Sequence, residues 1–263
     1  MTHAHAAPAT WRFPPASHRL PLIIAHRGCS AAYPENTMLA FRAAVDARAD
    51  GVELDTRLTR DGRVAILHDR RLERTTSGTG VVGTRSLEHI QALDAGSWFG
   101  AKFSHARVPS LDEVSSNLPP TFLIDVELKV RGFGTWALVS RVADLIRRHH
   151  RRETAMVASF NPLALALFRL KAPRVARGYI WTARHPIPIR NRWLLPLADP
   201  QWMNPDRRTL TPRLLERFHR TGRRVLAWDY DGGPDLAAIA ATHLDGIIAD
   251  DPSRWVAQRA TLR

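Results

Sequence analysis

Gly51-Val52-Glu53-Leu54-Asp55 sets two carboxylates into an otherwise apolar, β-type run. Charged side chains rarely interrupt strands that look this buried unless they face a shared polar site. Working outward, the same signal recurs. His26-Arg27-Gly28 follows Leu22-Ile23-Ile24-Ala25, and His68-Asp69 closes Val64-Ala65-Ile66-Leu67. Glu127 and Lys129 sit in Phe122-Leu123-Ile124-Asp125-Val126-Glu127-Leu128-Lys129. Polar interruptions at the ends of several strands imply one site assembled from separate strands.

Around these runs, short β segments alternate with helical ones. Residues 36–48 read as a helix with Leu39, Phe41, Ala44 and Val45 on its apolar side, capped by Thr37 or Asn36. Further strands are expected at 154–159, 174–181, 201–204, 225–229 and 246–249, with helices at 111–117, 136–149, 212–220 and 234–243. Pro162 opens another helix at its first turn, where a missing N–H does no harm. Such alternation implies a parallel sheet covered by helices. Because the charges fall at C-terminal strand ends, the expected fold is α/β, a (β/α)8 TIM barrel. Nine strand segments emerge where eight fit; Arg60-Asp61-Gly62 looks like a turn too short for a crossover helix, so that pair is the source of the excess. No Gly-rich dinucleotide fingerprint follows the first strand, which disfavours a doubly wound sheet.

Residues 1–19 are expected to form a flexible arm, 20–258 a single barrel domain, and 69–110 a small insertion after the third strand, over the barrel mouth. The basic block Arg147-Arg148-His149-His150-Arg151-Arg152 follows a helix and reads as its solvated end, complementing the dipole. The chain has 38 basic and 25 acidic residues, a formal charge of +13, yet lysine occurs only at 102, 129 and 171. This balance favours anionic partners. A single cysteine, Cys29, excludes an intrachain disulfide and a multi-cysteine metal site. No run of about 18 apolar residues spans a bilayer as a helix, and residues 1–19 lack a signal-type apolar core. The expected location is cytoplasmic, with peripheral contact at an anionic membrane as an option.

Glu53 and Asp55, two apart on a strand, point to one face. Two buried like charges need a compensating cation, and oxygen donors suit a hard divalent ion, Mg²⁺ or Ca²⁺, with Glu127 as third carboxylate. A solvent-facing edge strand is the competing reading, but strands of a parallel barrel have no solvent face. Asp125 shares the face of Glu127 and is a candidate ligand or supporting partner. His26 and His68 are the natural acid and base, while Arg27 and Lys129 suit an anionic group. Cations, histidines and a divalent metal together fit phosphodiester cleavage. No Gly-x-x-x-x-Gly-Lys-Ser/Thr loop points to nucleoside triphosphates.

His26-Arg27-Gly28, Pro34-Glu35-Asn36-Thr37, Glu53-Leu54-Asp55, His68-Asp69 and Glu127-Leu128-Lys129, in this order, resemble the glycerophosphodiester phosphodiesterase family. Weaker matches extend through Leu72–Thr76, Asp94–Trp98, Ser159-Phe160, Trp228 and Asp245–Asp250. The resemblance spans residues 20–256 and implies hydrolysis of glycerophosphodiesters to sn-glycerol 3-phosphate and an alcohol with a divalent metal. It implies Glu53, Asp55 and Glu127 as metal ligands, His26 and His68 as the acid–base pair, and Arg27 and Lys129 on phosphate. Glu35 and Asn36 would support the site, and Phe160 and Trp228 would line the glycerol or alcohol side. One departure touches the substrate rim: Trp228 is followed by Asp229-Tyr230-Asp231, where the family commonly has Thr-Val-Asn. The competing enzyme reading is a lysophospholipase D or sphingomyelinase-D-like activity, drawing on the apolar, basic stretch 181–202 with Ile187, Ile189, Trp193, Leu194, Leu195 and Leu197. A more distant one is a non-catalytic basic module; no RNA-binding or helix-turn-helix signature supports nucleic acid.

Overall fold

The computed structural model describes residues 20–130, 135–182 and 194–262. Strands run at Leu22–His26 (β1), Gly51–Leu58 (β2), Val64–Ile66 (β3), Leu123–Leu128 (β4), Ala155–Ser159 (β5), Ala176–Trp181 (β6), Trp202–Pro205 (β7), Arg224–Ala227 (β8) and Gly246–Ala249 (β9). Helices lie at Met38–Asp46 (α1), Leu87–Gln91 (α2), Leu111–Asn117 (α3), Thr135–Arg148 (α4), Pro162–Lys171 (α5), Leu195–Ala198 (α6), Pro212–Arg220 (α7), Leu236–Ala241 (α8) and Pro252–Thr261 (α9).

β1, β2 and β4 to β9 pair in parallel, and the β1–β2 pairing closes them into an eight-strand ring. The ninth strand, β3, pairs antiparallel with β2 outside that ring. The hairpin turns at Gly62, whose φ of 69° suits a residue without Cβ. A TIM barrel is therefore the fold, and the surplus strand arises where the short turn predicts it.

Two apolar layers follow from strand parity. Leu22, Ile24, Leu123, Met156, Ala176, Trp202, Leu226 and Ile248 form a cluster inside the ring. Neighbouring positions such as Ile23, Ala25, Val52, Leu54, Ile124 and Val126 face the helices and join the larger core. Each of the isoleucine, leucine and valine side chains contributes roughly 1.5–3 kcal/mol on full burial. Because Val52 and Leu54 take the outer layer, Glu53 and Asp55 are turned inward.

Helix starts obey their capping chemistry. Thr37 rather than Asn36 caps α1, accepting from the Ala40 N–H, so the helix begins at Met38. Ser110 and Glu113 form a capping box on α3, and Asn161 with Pro162 opens α5.

The basic block departs from its expected solvated character. Arg151 is 3% exposed. Its guanidinium donates to the carbonyls of Ser115 (2.8 and 3.1 Å), Pro119 (2.6 Å) and Leu118. The carbonyls around the end of α3 lack helical partners, and a forked cation satisfies them at the negative end of the dipole. A helix period cannot reveal that this one arginine folds back across to another helix. Arg151→Met is expected to lower stability by about 2–4 kcal/mol, since it strands several buried acceptors. The readout is a lower urea midpoint at unchanged slope; a midpoint like that of the parent would show that water replaces the guanidinium.

Residues 69–110 carry their own apolar cluster, with Leu72, Val82, Leu87, Ile90, Ala95 and Val108 packed on Ala65 and Leu67. Residues 1–19, expected as an arm, and Ile187, Ile189 and Trp193 of the 181–202 stretch lie outside the described residues. Of the rest of that stretch, Leu195 packs on the core and Leu197 is exposed. No helix among the described residues is long and apolar enough to cross a membrane. Cys29 is buried, and burial together with Asp251 and Asp46 pushes its thiol up to about 12. It is expected to resist Ellman's reagent at pH 8 until the protein is denatured; rapid reaction of the folded protein would contradict this.

Candidate active site

Register brings the carboxylates together. Asp55 of β2 pairs with Glu127 of β4, and His26 of β1 pairs with Glu53. Glu53, Asp55 and Glu127, all buried, each offer a carboxylate oxygen within 4.8 Å of the others. Asp125, one layer deeper, lies outside this set and accepts from the Asn204 amide at 3.3 Å. Its role as a ligand is thus not supported by the geometry.

Two cations reach into the cluster. Lys129 Nζ lies 3.0 Å from Asp55 Oδ1 and 2.7 Å from Glu127 Oε1. Arg27 Nε lies 3.3 Å from Asp55 Oδ2. Among the described residues, Glu53 pairs with neither lysine nor arginine; its ion-pair partner is the His26 ring, 3.9 Å away. The consequences for charge follow. Burial and the Asp55 charge push the Glu53 carboxyl well up. Burial also raises Glu127, with Asp55 adding to it and Lys129 opposing. For Asp55, burial is outweighed by Lys129, Arg27, His68 and the Asn36 amide, which hold it below the usual range. A third buried carboxylate lacking a strong cation is what a divalent ion would satisfy, and an all-oxygen donor set suits Mg²⁺ or Ca²⁺.

The loop after β1 presents Arg27 and supports Asp55. Arg27 and Gly28 both take left-handed backbone, with φ of 55° and 85°. A Cβ on Gly28 would lie 2.6 Å from the Ala40 carbonyl carbon, so glycine is required there. The turn directs the Arg27 N–H to Glu53 Oε2 at 3.1 Å. Asn36 donates from Nδ2 to Asp55 Oδ2 at 2.7 Å. Glu35 takes Arg27 Nη1 at 2.9 Å and accepts from both terminal nitrogens of Arg74, at 2.8 and 2.7 Å. The 69–110 segment is thereby tied to the loop that carries Arg27.

Each histidine has its own carboxylate. His26 Nδ1 lies 2.6 Å from Asp250 Oδ1, and His68 Nδ1 lies 2.6 Å from Asp69 Oδ1. Asp69 is bound in turn by Arg74 Nε. Burial opposes charge on both rings, yet their environments push them apart. At His26 the Asp250 bond and the Glu53 charge prevail and its pKa is raised. At His68 burial, aided by the Lys129 and Arg27 charges, outweighs Asp55 and its pKa is lowered. Opposite shifts in paired titratable groups are the pattern of an acid and a base.

On the rim, the Phe160 and Trp228 rings meet edge to face at 6.2 Å, with Lys129 Nζ 6.0 Å from the Phe160 centroid. Trp228 Nε1 donates to the Asn204 carbonyl at 2.9 Å. The Asp229-Tyr230-Asp231 departure resolves differently from its appearance in sequence. Tyr230 is in the core against Trp255, so its side chain is buried rather than exposed at the rim. Asp231 accepts from the Asp250 N–H at 2.6 Å, and burial with its acidic neighbours pushes it up to about 8.

Sequence reasoning did not assign roles to Asp250, Asp69 or Arg74. Asp250 carried the signal used elsewhere, a charge closing the apolar run Gly246-Ile247-Ile248-Ala249. Arg74 lay within the weaker match Leu72–Thr76, but its contacts with Glu35 and Asp69 depend on the path of the 69–110 segment.

Residues 26–254 match the Glycerophosphoryl diester phosphodiesterase family. The chain belongs to that family. Its chemistry is that of a phosphodiester hydrolase acting on glycerophosphodiesters. A glycerophosphodiester phosphodiesterase of Caldanaerobacter subterraneus subsp. tengcongensis is 34% identical over 237 residues, covering 89% of this chain and 96% of that protein. Among solved structures, an Oleispira antarctica phosphodiesterase in complex with the product sn-glycerol-3-phosphate superposes with a TM-score of 0.84 at 27% identity, over 92% of this chain and 97% of that one. A glycerophosphodiester phosphodiesterase from Agrobacterium tumefaciens gives 0.77 at 29% identity, over 90% and 100%.

Proposed function

We propose that hydrolysis to sn-glycerol 3-phosphate and an alcohol takes place at the β2/β4 carboxylates, with Glu53, Asp55 and Glu127 holding Mg²⁺ or Ca²⁺. The observation that carries this reading is their convergence within 4.8 Å beside two separately supported histidines. The bound ion would supply positive charge against the phosphoryl oxygens. Arg27 and Lys129 contact the same oxygens, and the Phe160–Trp228 wall orients the glycerol or alcohol.

His68, whose surroundings favour the neutral ring, takes the proton from the glycerol 2-hydroxyl as that oxygen bonds to phosphorus. His26, whose surroundings favour the charged ring, gives its proton to the departing alkoxide as the other P–O bond breaks. Water then opens the cyclic phosphate with the two roles reversed. Single turnover in ¹⁸O water tests the route: trapping a cyclic phosphate in histidine variants supports it, and label in the product with no cyclic species supports direct attack by water.

A lipid substrate is the second reading, supported by Trp136 and Leu163. They are 50% and 51% exposed at the starts of α4 and α5, on the catalytic end of the barrel. A screen across divalent metals with glycerophosphocholine, glycerophosphoethanolamine, glycerophosphoglycerol and lysolipids separates the two. Faster metal-dependent turnover of the water-soluble diesters is expected; activity confined to lysolipid would favour the second reading.

A further inference from the structure

The basic block that the active site does not use borders a cleft at the opposite end of the barrel. α4 and α5 start near the catalytic end and run back toward the starts of β5 and β6, so their C-termini lie on the far side. Arg147 in the last turn of α4, Arg152 beyond it, Lys171 closing α5 and Arg174 beyond that line this cleft of about 190 Å³. Its apolar lining includes the buried Ile146 and Val175, and no carboxylate among the described residues contributes to it. Arg147 is matched by Asp144 at 2.9 Å. Among the described residues, Arg152, Lys171 and Arg174 make no ion pair with a carboxylate, and Glu153 stands outside the cleft.

Helix dipoles account for a cation in each last turn. They do not account for Arg152 and Arg174, which lie past the helix ends in the connecting segments and line the same cleft. Self-repulsion among these charges is relieved by a compact polyanion. Arginine forks match tetrahedral oxyanions, and the exposed cations converge on one cleft where their fields add. The volume is below the roughly 300 Å³ at which pockets for drug-sized ligands begin. It admits a phosphate group with a short tail.

We infer that this cleft binds a phosphate group, free or as a monoester, independently of the catalytic site. Small soluble phosphates and the headgroup of phosphatidic acid share this chemistry.

The test uses the whole protein and an Arg152→Ser/Arg174→Ser variant, with Lys171→Gln as a milder second variant. Inorganic phosphate is titrated by calorimetry at low ionic strength, and vesicles of phosphatidylcholine with or without phosphatidic acid are sedimented with the protein. Turnover of glycerophosphocholine, and its competitive inhibition by phosphate, report on the catalytic site separately. The expected result is a phosphate isotherm weakened by about tenfold or more in the double variant, and less in Lys171→Gln. Turnover and the inhibition constant stay as in the parent. Arginine-dependent binding of phosphatidic acid vesicles without binding of free phosphate also supports the inference and identifies the source as lipid. Phosphate and vesicle binding unchanged in both variants, or absent from the parent apart from catalytic-site inhibition, overturns it.

Discussion

Glu53→Gln is expected to eliminate metal-stimulated hydrolysis, lowering kcat/KM by about 10³-fold, while leaving the metal-free protein at least as stable as its parent. The two effects have one origin. Glu53 is buried near Asp55 with no lysine or arginine paired to it among the described residues. Its charge is useful only when a cation is present. The sign of the pH dependence follows. In the metal-free fold its pKa is raised above the ordinary 4.5, so the folded state binds more protons than the unfolded chain from about that pH upward. Its contribution to stability is therefore present at low pH and declines as pH rises through that window. The glutamine variant lacks this decline. Mg²⁺ or Ca²⁺ should raise the thermal midpoint of the parent, as any ligand selective for the folded state does, and should leave the variant unmoved. A variant that keeps both metal-stimulated turnover and the metal-induced shift would place the ion elsewhere.

The second large effect concerns the histidines. The pH profile of kcat/KM should be bell-shaped, with the acid limb belonging to His68 and the alkaline limb to His26. His68 has its pKa lowered from 6.5; as a base it is lost when pH falls through that lowered value. His26 has its pKa raised from 6.5; as an acid it is lost when pH rises through that raised value. Replacing either by glutamine should reduce kcat/KM by about 10²–10⁴ and remove its own limb. Asp250→Asn offers a finer check. It removes the carboxylate that favours the charged His26 ring, so the alkaline limb should move to lower pH while the acid limb stays. Identical profiles in both histidine variants would refute the division of labour.

Much of this site was legible because strand parity is a strict rule. Glu53 and Asp55 share a face whatever surrounds them, and Val52 and Leu54 must take the other. His26, His68 and Lys129 were legible for a related reason: a charge at the end of an apolar run needs a polar destination. The same rule applied to Asp250, which went without a role because its importance lies in a partner on another strand. Arg151 shows the opposite limit. Its neighbours Arg147 and Arg148 are exposed, as a basic helix end suggests, while Arg151 is buried on α3 carbonyls distant in sequence. Tyr230 similarly left the rim for the core.

By itself, the sequence determined the strand–helix alternation, the shared face of the polar residues on each strand, the short turn behind the surplus strand, and the candidates for binding metal, proton and phosphate. These depend on local periodicity and on the cost of burying charge, which act wherever the chain goes. Tertiary structure decided which carboxylate holds each histidine, and which burial and neighbouring charges set the direction of each shift. It also decided that, among the described residues, Glu53 has no lysine or arginine ion-pair partner, and that four cations from two helix ends and the segments after them line one cleft. Those outcomes depend on distances between segments far apart in the chain, which only closure of the barrel sets.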